Sequence, residues 1–227
     1  MFEFGRALQA QKNYSEALGW YRKAAEAGSS SAMEAIGWMY RNGNGIGQDD
    51  SQAITWFRKS ADLGNFNAIK NLAYWYMYGT GTTQDYAEAF RLYNRAAQAG
   101  DRVAMANIGW LYENGKGTNQ DYTQAMSWYR KAADVGNSRA MFNISSLYDT
   151  GHGVPASSAE SAKWLLLAVR KSTDANVNQV LRDAYSLSPA SRKEIQKALK
   201  ARGLYRGSVS GTFDDATIRA LKQLAGQ

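Results

Sequence analysis

The chain has few side chains that could do chemistry. It contains no cysteine, which excludes disulfides, thiolate metal ligands and cysteine nucleophiles. Its one histidine, His152, stands between Gly151 and Gly153. General acid–base catalysis needs a second group positioned beside the histidine, and the spacing of the nearby residues fixes no carboxylate there. We therefore expect no catalysis at His152 and no enzyme activity in this chain.

Two further patterns have both a chemical and a structural interpretation. Asp49, Asp85 and Asp121 are 36 residues apart, which would suit a row of metal ligands or one helix N-cap in each repeat. One cap per repeat explains the regular step, so we predict N-caps. The glycine-rich segment 43–47 resembles a phosphate loop, but no strand precedes it, and we predict a tight turn. We expect neither a metal nor a cofactor.

A repeat of 36 residues organises the chain. Gly28, Gly64, Gly100 and Gly136 are evenly spaced, and the same step relates a set of tyrosines. That set consists of Tyr40, Tyr76, Tyr112 and Tyr148. A fixed period of this length is typical of a solenoid, in which each unit buries its apolar face against its neighbours. Apolar residues at helical spacing predict two helices per unit, for example over residues 31–42 and 51–63.

The unit reads A-x-x-x-(I/L)-G-x-x-Y-x-x-G-x-G, then D-(Y)-x-x-A-x-x-W-(Y/F)-x-x-A-A-x-x-G. This pattern resembles Sel1-like repeats, relatives of tetratricopeptide repeats, over roughly residues 14–171. The resemblance implies an all-α, right-handed solenoid of antiparallel helix pairs that binds proteins on its concave face. Gly37 would let a neighbouring helix approach closely, and Ser145 takes that position in the last unit. The first unit lacks the glycine loop.

The tail, residues 188–227, resembles the type 1 peptidoglycan-binding domain. The matching residues are Ile195, Gln196, Leu199, Gly203, Tyr205, Gly207, Val209, Gly211, Phe213, Thr217, Ala220 and Leu221. Ser210 and Asp214 depart from the family pattern, and a third helix is missing. The resemblance implies wall binding, with Arg202, Tyr205, Arg206 and Thr217 as candidate residues. We predict a repeat array over 1–171, a capping helix and linker over 172–187, and this module over 188–227.

Charge and hydropathy limit the classes of partner. The net charge is +7, and residues 170–227 hold 11 basic against 5 acidic residues, a net of +6. A basic tail suits an anionic partner or serves solubility, and nucleic acid is disfavoured because aromatics do not interleave with the basic run. We expect no membrane span and no signal peptide within these residues. The expected location is the bacterial periplasm or cell envelope for an excised chain, and the cytoplasm for a complete one.

The repeat resemblance also indicates a binding surface. By analogy with tetratricopeptide repeats, the first helix of each unit lines the concave face, where Trp38, Tyr74 and Trp110 recur. The predicted partner-binding residues are Glu34, Trp38, Arg41, Asn42, Lys70, Tyr74, Met77, Tyr78, Trp110, Glu113 and Asn114. Aromatics and arginine dominate interface energetics, which favours binding over simple shielding of the interior. The second-helix tryptophans, Trp20, Trp56, Trp128 and Trp164, are predicted to lie in the core between repeats.

These observations predict a non-enzymatic scaffold or adaptor of the bacterial cell envelope. A protein or peptide would occupy the concave groove, and the tail would associate with peptidoglycan. The alternative is a non-catalytic regulatory or recognition region of a larger enzyme or regulator. A hydrolase with its site in the groove is disfavoured, because the sequence contains no histidine–carboxylate or metal constellation.

Overall fold

The computed structural model describes residues 1–226, apart from the side chain of Asp174. Within that range all regular elements are helical. The helices are α1 Phe2–Ala10, α2 Tyr14–Glu26, α3 Ser30–Asn42, α4 Asp50–Asp62, α5 Phe66–Tyr78, α6 Tyr86–Gln98, α7 Arg102–Asn114, α8 Tyr122–Asp134, α9 Ser138–Thr150, α10 Ser158–Lys171, α11 Asp174–Asp183, α12 Pro189–Ala201 and α13 Asp215–Ala225. A 3-10 turn, Ala184–Ser186, follows α11. This confirms the predicted all-α class.

The chain divides into two compact units. Unit 1 comprises Met1–Ala99 with Lys116–Thr118, and unit 2 comprises Gly100–Gly115 with Asn119–Gln227. Residue 227, the end of the predicted tail module, lies outside the described residues. Helices pair consecutively, as α1/α2, α3/α4 and α5/α6 in unit 1 and as α7/α8 and α9/α10 in unit 2. Each pair is one sequence repeat.

The three recurring aspartates are helix caps, as predicted. The Asp49 carboxylate accepts from the backbone N–H of Gln52 at 2.9 Å, and Asp85 and Asp121 cap α6 and α8 in the same way. The first helix of this repeat, α3, ends at a glycine and not at a side-chain cap. Gly43 takes a left-handed conformation there, with φ of 68°. A glycine adopts this conformation without a Cβ penalty. In the four repeats from α3 to α10, a side-chain cap therefore begins every helix, and a left-handed glycine ends the first helix of each pair.

The core of each repeat places a small residue opposite a fully buried large one. A Cβ built on Gly37 would lie 2.5 Å from Cδ2 of Phe57, which has 0% exposure. Gly109 faces Tyr129 in the same way at 2.6 Å. In the last repeat Ser145 stands in place of that glycine, and its hydroxyl donates to the Ser161 carbonyl at 2.8 Å. The two helices therefore approach as closely as the sequence analysis expected.

We expect Gly37→Ala to destabilise unit 1 by about 1–3 kcal/mol, because the new methyl group overpacks the Phe57 ring. Gly19 offers a matched control, since it also lies inside a helix but a Cβ there meets nothing within 4 Å. Gly19→Ala should stabilise the chain by about 0.5–1 kcal/mol through helix propensity alone. Urea unfolding followed by circular dichroism measures both. Equal stability of the two variants would refute the close-packing account.

Polar contacts join neighbouring repeats inside each unit. The Arg58 guanidinium donates to the Tyr76 hydroxyl, and Arg130 donates to Tyr148 at 3.0 Å in the equivalent position. Within a single repeat, the Ser60 hydroxyl of α4 donates to the carbonyl of Ser30 of α3 at 2.7 Å. The repeated tyrosine thus accepts a hydrogen bond from the second helix of the preceding repeat.

The tail packs onto the last repeat within unit 2. Helices α12 and α13 both lie against α10, and α11 contacts α9. A single buried cluster includes Leu165 and Val169 of α10 together with Leu181, Ile195 and Leu221 of the tail. The tail therefore covers the apolar face that the last repeat would otherwise expose to water. The domain boundaries at 171 and 188 remain predictions.

Candidate partner-binding site

In unit 1, the first helices of three repeats present their side chains on one face. A cavity of about 450 Å³ lies there, and α1, α3 and α5 all contribute to it. Its lining includes Phe2, Arg6, Gln9, Glu34, Trp38 and Asn42. The structure therefore brings Glu34, Trp38 and Asn42 together, three of the predicted binding residues.

The contribution of α1 was missed in the sequence analysis. The first unit lacks the glycine loop, so Gly5 precedes its equivalent Gly37 by 32 residues and not by 36. Aligning these two glycines places Phe2 opposite Glu34 and Arg6 opposite Trp38. The equivalence of Gly5 and Gly37 could have been found in the sequence, but a step of 36 residues does not relate these two positions.

Trp38 forms a fixed wall of this cavity. Its ring meets Phe57 edge-on, with centroids 5.2 Å apart, and meets Trp75 at 5.7 Å. The indole is half-buried, so core packing holds one edge while part of the ring remains accessible. Glu34 is held beside it, because its carboxylate accepts from the Asn65 amide at 3.0 Å.

Helix α5 adds an exposed aromatic pair. Tyr74 and Tyr78 are 52% and 53% exposed, and their rings contact each other with centroids 4.6 Å apart. One turn earlier the Lys70 ammonium lies 5.1 Å from the centroid of the Phe66 ring. Large aromatics held at the surface by each other are typical of protein interfaces. We call Glu34, Trp38, Asn42, Lys70, Tyr74 and Tyr78 the unit 1 face.

Two predicted binding residues of unit 1 have structural roles. Met77 is 2% exposed, so the prediction that it contacts a partner is not supported by its position. Arg41 stacks on Trp75 at 4.5 Å and lies 3.5 Å from the Asp50 carboxylate, with 22% of its side chain exposed. Arg41 is therefore held by contacts within the fold, and little of its side chain is accessible to a ligand.

In unit 2, Glu113, which was predicted to bind a partner, is hydrogen-bonded to a buried residue of the core. The Tyr129 hydroxyl donates to its carboxylate at 2.6 Å, as Tyr21 does to Gln9 in unit 1. Burial raises the pKa of Glu113, while the hydrogen bond from Tyr129 acts in the opposite direction. Burial also raises the pKa of Tyr129 far above its usual value. Glu113 thus accepts a hydrogen bond from the buried tyrosine of its own repeat.

The other unit 2 candidates are Trp110 and Asn114. Trp110 is half-buried against the core of unit 2, and Asn114 is exposed and donates to the Trp110 carbonyl at 2.8 Å. A binding role for these two residues remains a prediction, as does a continuous row of Trp38, Tyr74 and Trp110.

The tryptophans of the second helices do not lie where they were predicted, in the core between repeats. Trp20, Trp56 and Trp128 are half-buried at the surface rather than in the core, each beneath the lysine three residues later. Trp164 is half-buried as well. The fully buried position belongs to the following residue, such as Phe57 or Tyr129.

His152 has a packing contact that explains its position. Its ring stacks on Tyr122 with centroids 4.4 Å apart and an angle of 24°. The next residue, Gly153, approaches the Tyr122 backbone so closely that a Cβ would lie 2.8 Å from its carbonyl carbon. Lys116 makes the equivalent contact with Tyr86 at 5.5 Å. The loop residue therefore covers a tyrosine at the start of a second helix.

The tail candidates divide by burial. Arg202 and Arg206 are exposed, but Tyr205 and Thr217 are 2% and 0% exposed, so the prediction that these two bind the wall is not supported by their positions. Asp214 caps α13 by accepting from the backbone N–H and the hydroxyl of Thr217, and these hydrogen bonds lower the pKa of the Asp214 carboxyl. That stabilisation is present at neutral pH and is lost as pH falls through the lowered pKa.

Across residues 1–226, side chains apart from that of Asp174, no group of three or more histidine, cysteine or carboxylate side chains is arranged to hold a metal ion. In the same part of the chain, no helix is both long and apolar enough to cross a membrane.

The paired helices, the capped boundaries and the aromatic face define an α-helical repeat protein of the solenoid class. The Sel1 repeat family model matches residues 1–29, 30–65, 67–101, 102–137 and 138–172, and the chain belongs to this family. Sel1 repeat proteins generally mediate protein–protein interactions and are typically non-catalytic scaffolds. The family match ends at residue 172, so it gives no support to the peptidoglycan-binding resemblance of the tail.

Two solved structures from bacteria are similar to this chain. A Sel1 repeat protein from Oxalobacter formigenes superposes with a TM-score of 0.70 at 25% identity, covering 100% of this chain and 84% of that one. The protective antigen c5321 of uropathogenic Escherichia coli, which displays an SLR fold, gives 0.63 at 25% identity. That alignment covers 92% of this chain and 48% of the antigen. None of the curated proteins gives a significant match.

Proposed function

We propose that this chain is a non-enzymatic scaffold that binds a protein segment on the unit 1 face. The observation that carries the proposal is the exposed pair Tyr74 and Tyr78 on α5, a helix that also contributes to the cavity at Trp38. Monomeric proteins seldom leave neighbouring large aromatics exposed without an interaction to serve. Sel1 repeat proteins generally mediate protein–protein interactions, which supports the same function.

The chemistry of the face fits a peptide with apolar or aromatic anchors. Trp38 and Tyr74 offer ring surface, and Asn42 offers amide hydrogen bonds at the edge of the cavity. Glu34 and Lys70 carry opposite charges on neighbouring first helices, so the face has no strong single sign. Such a surface selects its partner by shape and anchor residues more than by net charge.

Peptide selection tests this proposal. A random twelve-residue phage library is panned against the purified chain, and a selected peptide is titrated by fluorescence anisotropy. The triple variant Trp38→Ala, Tyr74→Ala, Tyr78→Ala should weaken the peptide by about 100-fold, because buried aromatic anchors dominate binding energy. The double variant Tyr74→Ala, Tyr78→Ala changes only exposed side chains, so its effect does not depend on the packing of Trp38.

Trp20→Ala, Trp56→Ala is the matched control, because it removes half-buried aromatics from the second helices of the same unit. It should leave peptide affinity within about twofold, since surface substitutions away from a site have small effects. Selected peptides that bind the triple and double variants as tightly as the unaltered chain would disprove the assignment of the face.

We further propose that the chain is located in the cell envelope and that its tail binds the wall. Its support is the motif of the tail and its basic surface, where Arg206 and Arg219 border a cavity of about 400 Å³. Sedimentation with purified peptidoglycan tests it: Arg206→Gln, Arg219→Gln should remain in the supernatant while the unaltered chain pellets. The alternative, a recognition region of a larger enzyme or regulator, would use the same unit 1 face.

A further inference from the structure

A second cavity, of about 370 Å³, lies within unit 2 between α10, α12 and α13. Its apolar lining comes from Ala162, Leu166 and Leu167 of α10, Ala198 of α12 and Leu224 of α13. Leu166 and Leu224 are mostly buried in the core that joins the tail to the last repeat, whereas Leu167 and Ala198 are only half-buried. The floor of this cavity is therefore hydrocarbon that the tail leaves partly uncovered.

The apolar lining is particular to the last repeat. At the positions of Leu166 and Leu167, three earlier second helices carry a basic pair. These pairs are Arg22-Lys23, Arg58-Lys59 and Arg130-Lys131. Ala159, which also lines the cavity, stands where those helices have Ser15, Ser51 and Thr123. The same face of the repeat is polar in α2, α4 and α8 and apolar in α10.

The rim of the cavity is basic. Lys163, Arg170 and Arg202 border it, together with one carboxylate, Glu194. Glu194 is already paired with Lys197 at 2.7 Å, which lies on the same helix. Lys163 is paired with Glu160 at 3.2 Å. Counting these partners, four cations face two carboxylates, so the rim attracts an anion.

We propose that this cavity binds a single-chain amphiphilic anion, a hydrocarbon body that ends in one carboxylate or sulfonate. Its volume falls at the lower end of the range for small-molecule sites, which are mostly apolar with a few placed polar groups. The hydrocarbon would lie on Leu167 and Ala198, and the head group would meet Arg170 and Arg202. A guanidinium suits this role, because it binds a carboxylate through paired, charge-assisted hydrogen bonds. The site is independent of the unit 1 face.

Calorimetric titration of the full chain with dodecanoate, below its micelle concentration, tests the proposal. Methyl NMR spectra of the same mixture should show shifts at Leu167 and Ala198. Arg170→Gln, Arg202→Gln should weaken dodecanoate by about tenfold, since it removes the charge-assisted contacts. Leu167→Asn should weaken it by a similar factor through loss of apolar contact.

Lys193→Gln, Lys200→Gln is the matched control. It removes the same charge from exposed positions of α12 that do not line the cavity, and it should leave the affinity within about twofold. Uncharged dodecyl maltoside should bind at least about fivefold more weakly than dodecanoate. Absence of dodecanoate binding, equal weakening by the two charge variants, or methyl shifts elsewhere in the chain would each overturn the proposal.

Discussion

Asp149→Ala should weaken the attachment of the start of α12 to the last repeat and destabilise unit 2 by about 2–4 kcal/mol, because hydrogen bonds to a charged group contribute about 1.5–3 kcal/mol each. The Asp149 carboxylate accepts from the backbone N–H of Ser188 at 2.8 Å and from its hydroxyl at 2.5 Å. It also accepts from the hydroxyl of Ser191, which has 0% exposure. Alanine would leave the buried Ser191 hydroxyl without its acceptor.

Urea unfolding measures the total effect of Asp149→Ala, and native-state hydrogen exchange locates it in α12. Asp134→Ala is the control, because Asp134 is an exposed carboxylate at the end of α8 in the same unit. A double-mutant cycle with Ser191→Ala should give a coupling free energy of about 1 kcal/mol or more, as expected for residues in direct contact. If Asp149→Ala behaves like Asp134→Ala, the carboxylate does not hold the tail.

Gln196→Leu should cost about 3 kcal/mol, because it leaves several buried polar groups of the tail unpaired. Gln196 has 0% exposure, and its amide nitrogen donates to the Thr212 carbonyl at 2.8 Å. Its oxygen accepts from the Gly211 N–H at 2.8 Å. Leucine has a similar size but makes none of these bonds, so the loop before α13 would lose its attachment to α12.

The effect of Gln196→Leu should be confined to unit 2. Each repeat of a solenoid contacts only its neighbours, so amides in α3 and α4 should keep their hydrogen-exchange protection. Gln223→Leu, at an exposed position of α13, is the control and should change the stability by less than about 0.5 kcal/mol. Full protection of the loop around Gly211 in the Gln196→Leu variant would contradict the role assigned to Gln196.

The tail motif that resembles a peptidoglycan-binding domain has a structural explanation in these contacts. Gln196, Gly211 and Thr217 form one buried hydrogen-bond network with Tyr205. A Cβ on Gly211 would lie 2.7 Å from the Pro189 carbonyl, and φ there is 82°. Several of the motif residues thus build the loop that joins α12 to α13. The motif accounts for the local fold, and wall binding requires the separate test proposed above.

Helix boundaries could be predicted because the interactions that set them are local. The helix predicted over residues 31–42 spans 30–42, and the one predicted over 51–63 spans 50–62. A cap such as Asp49 contacts a backbone group only three residues away, so its role can be deduced from spacing alone. The close approach at Gly37 was also predictable, since the recurrence of glycine at the same helical position, Gly109, indicates a crowded backbone.

Exposure was predicted less well, because it depends on residues that are distant in the chain. Trp56 and Phe57 are neighbours, but one residue turns a helix by about 100°, and only Phe57 points to the core. Likewise, Asp149 finds its partners Ser188 and Ser191 39 and 42 residues away. No spacing pattern relates these positions.

The sequence by itself determined the repeat period, the pairing of helices within a repeat and the resemblance to the family, because period, caps and small residues are properties of single repeats. Only the tertiary structure decided which aromatics remain accessible, that Met77 and Thr217 are buried, and that the tail shares a core with the last repeat. The physical reason is that burial and hydrogen-bond pairing between distant segments follow from how helices pack, and the repeat pattern does not specify those contacts.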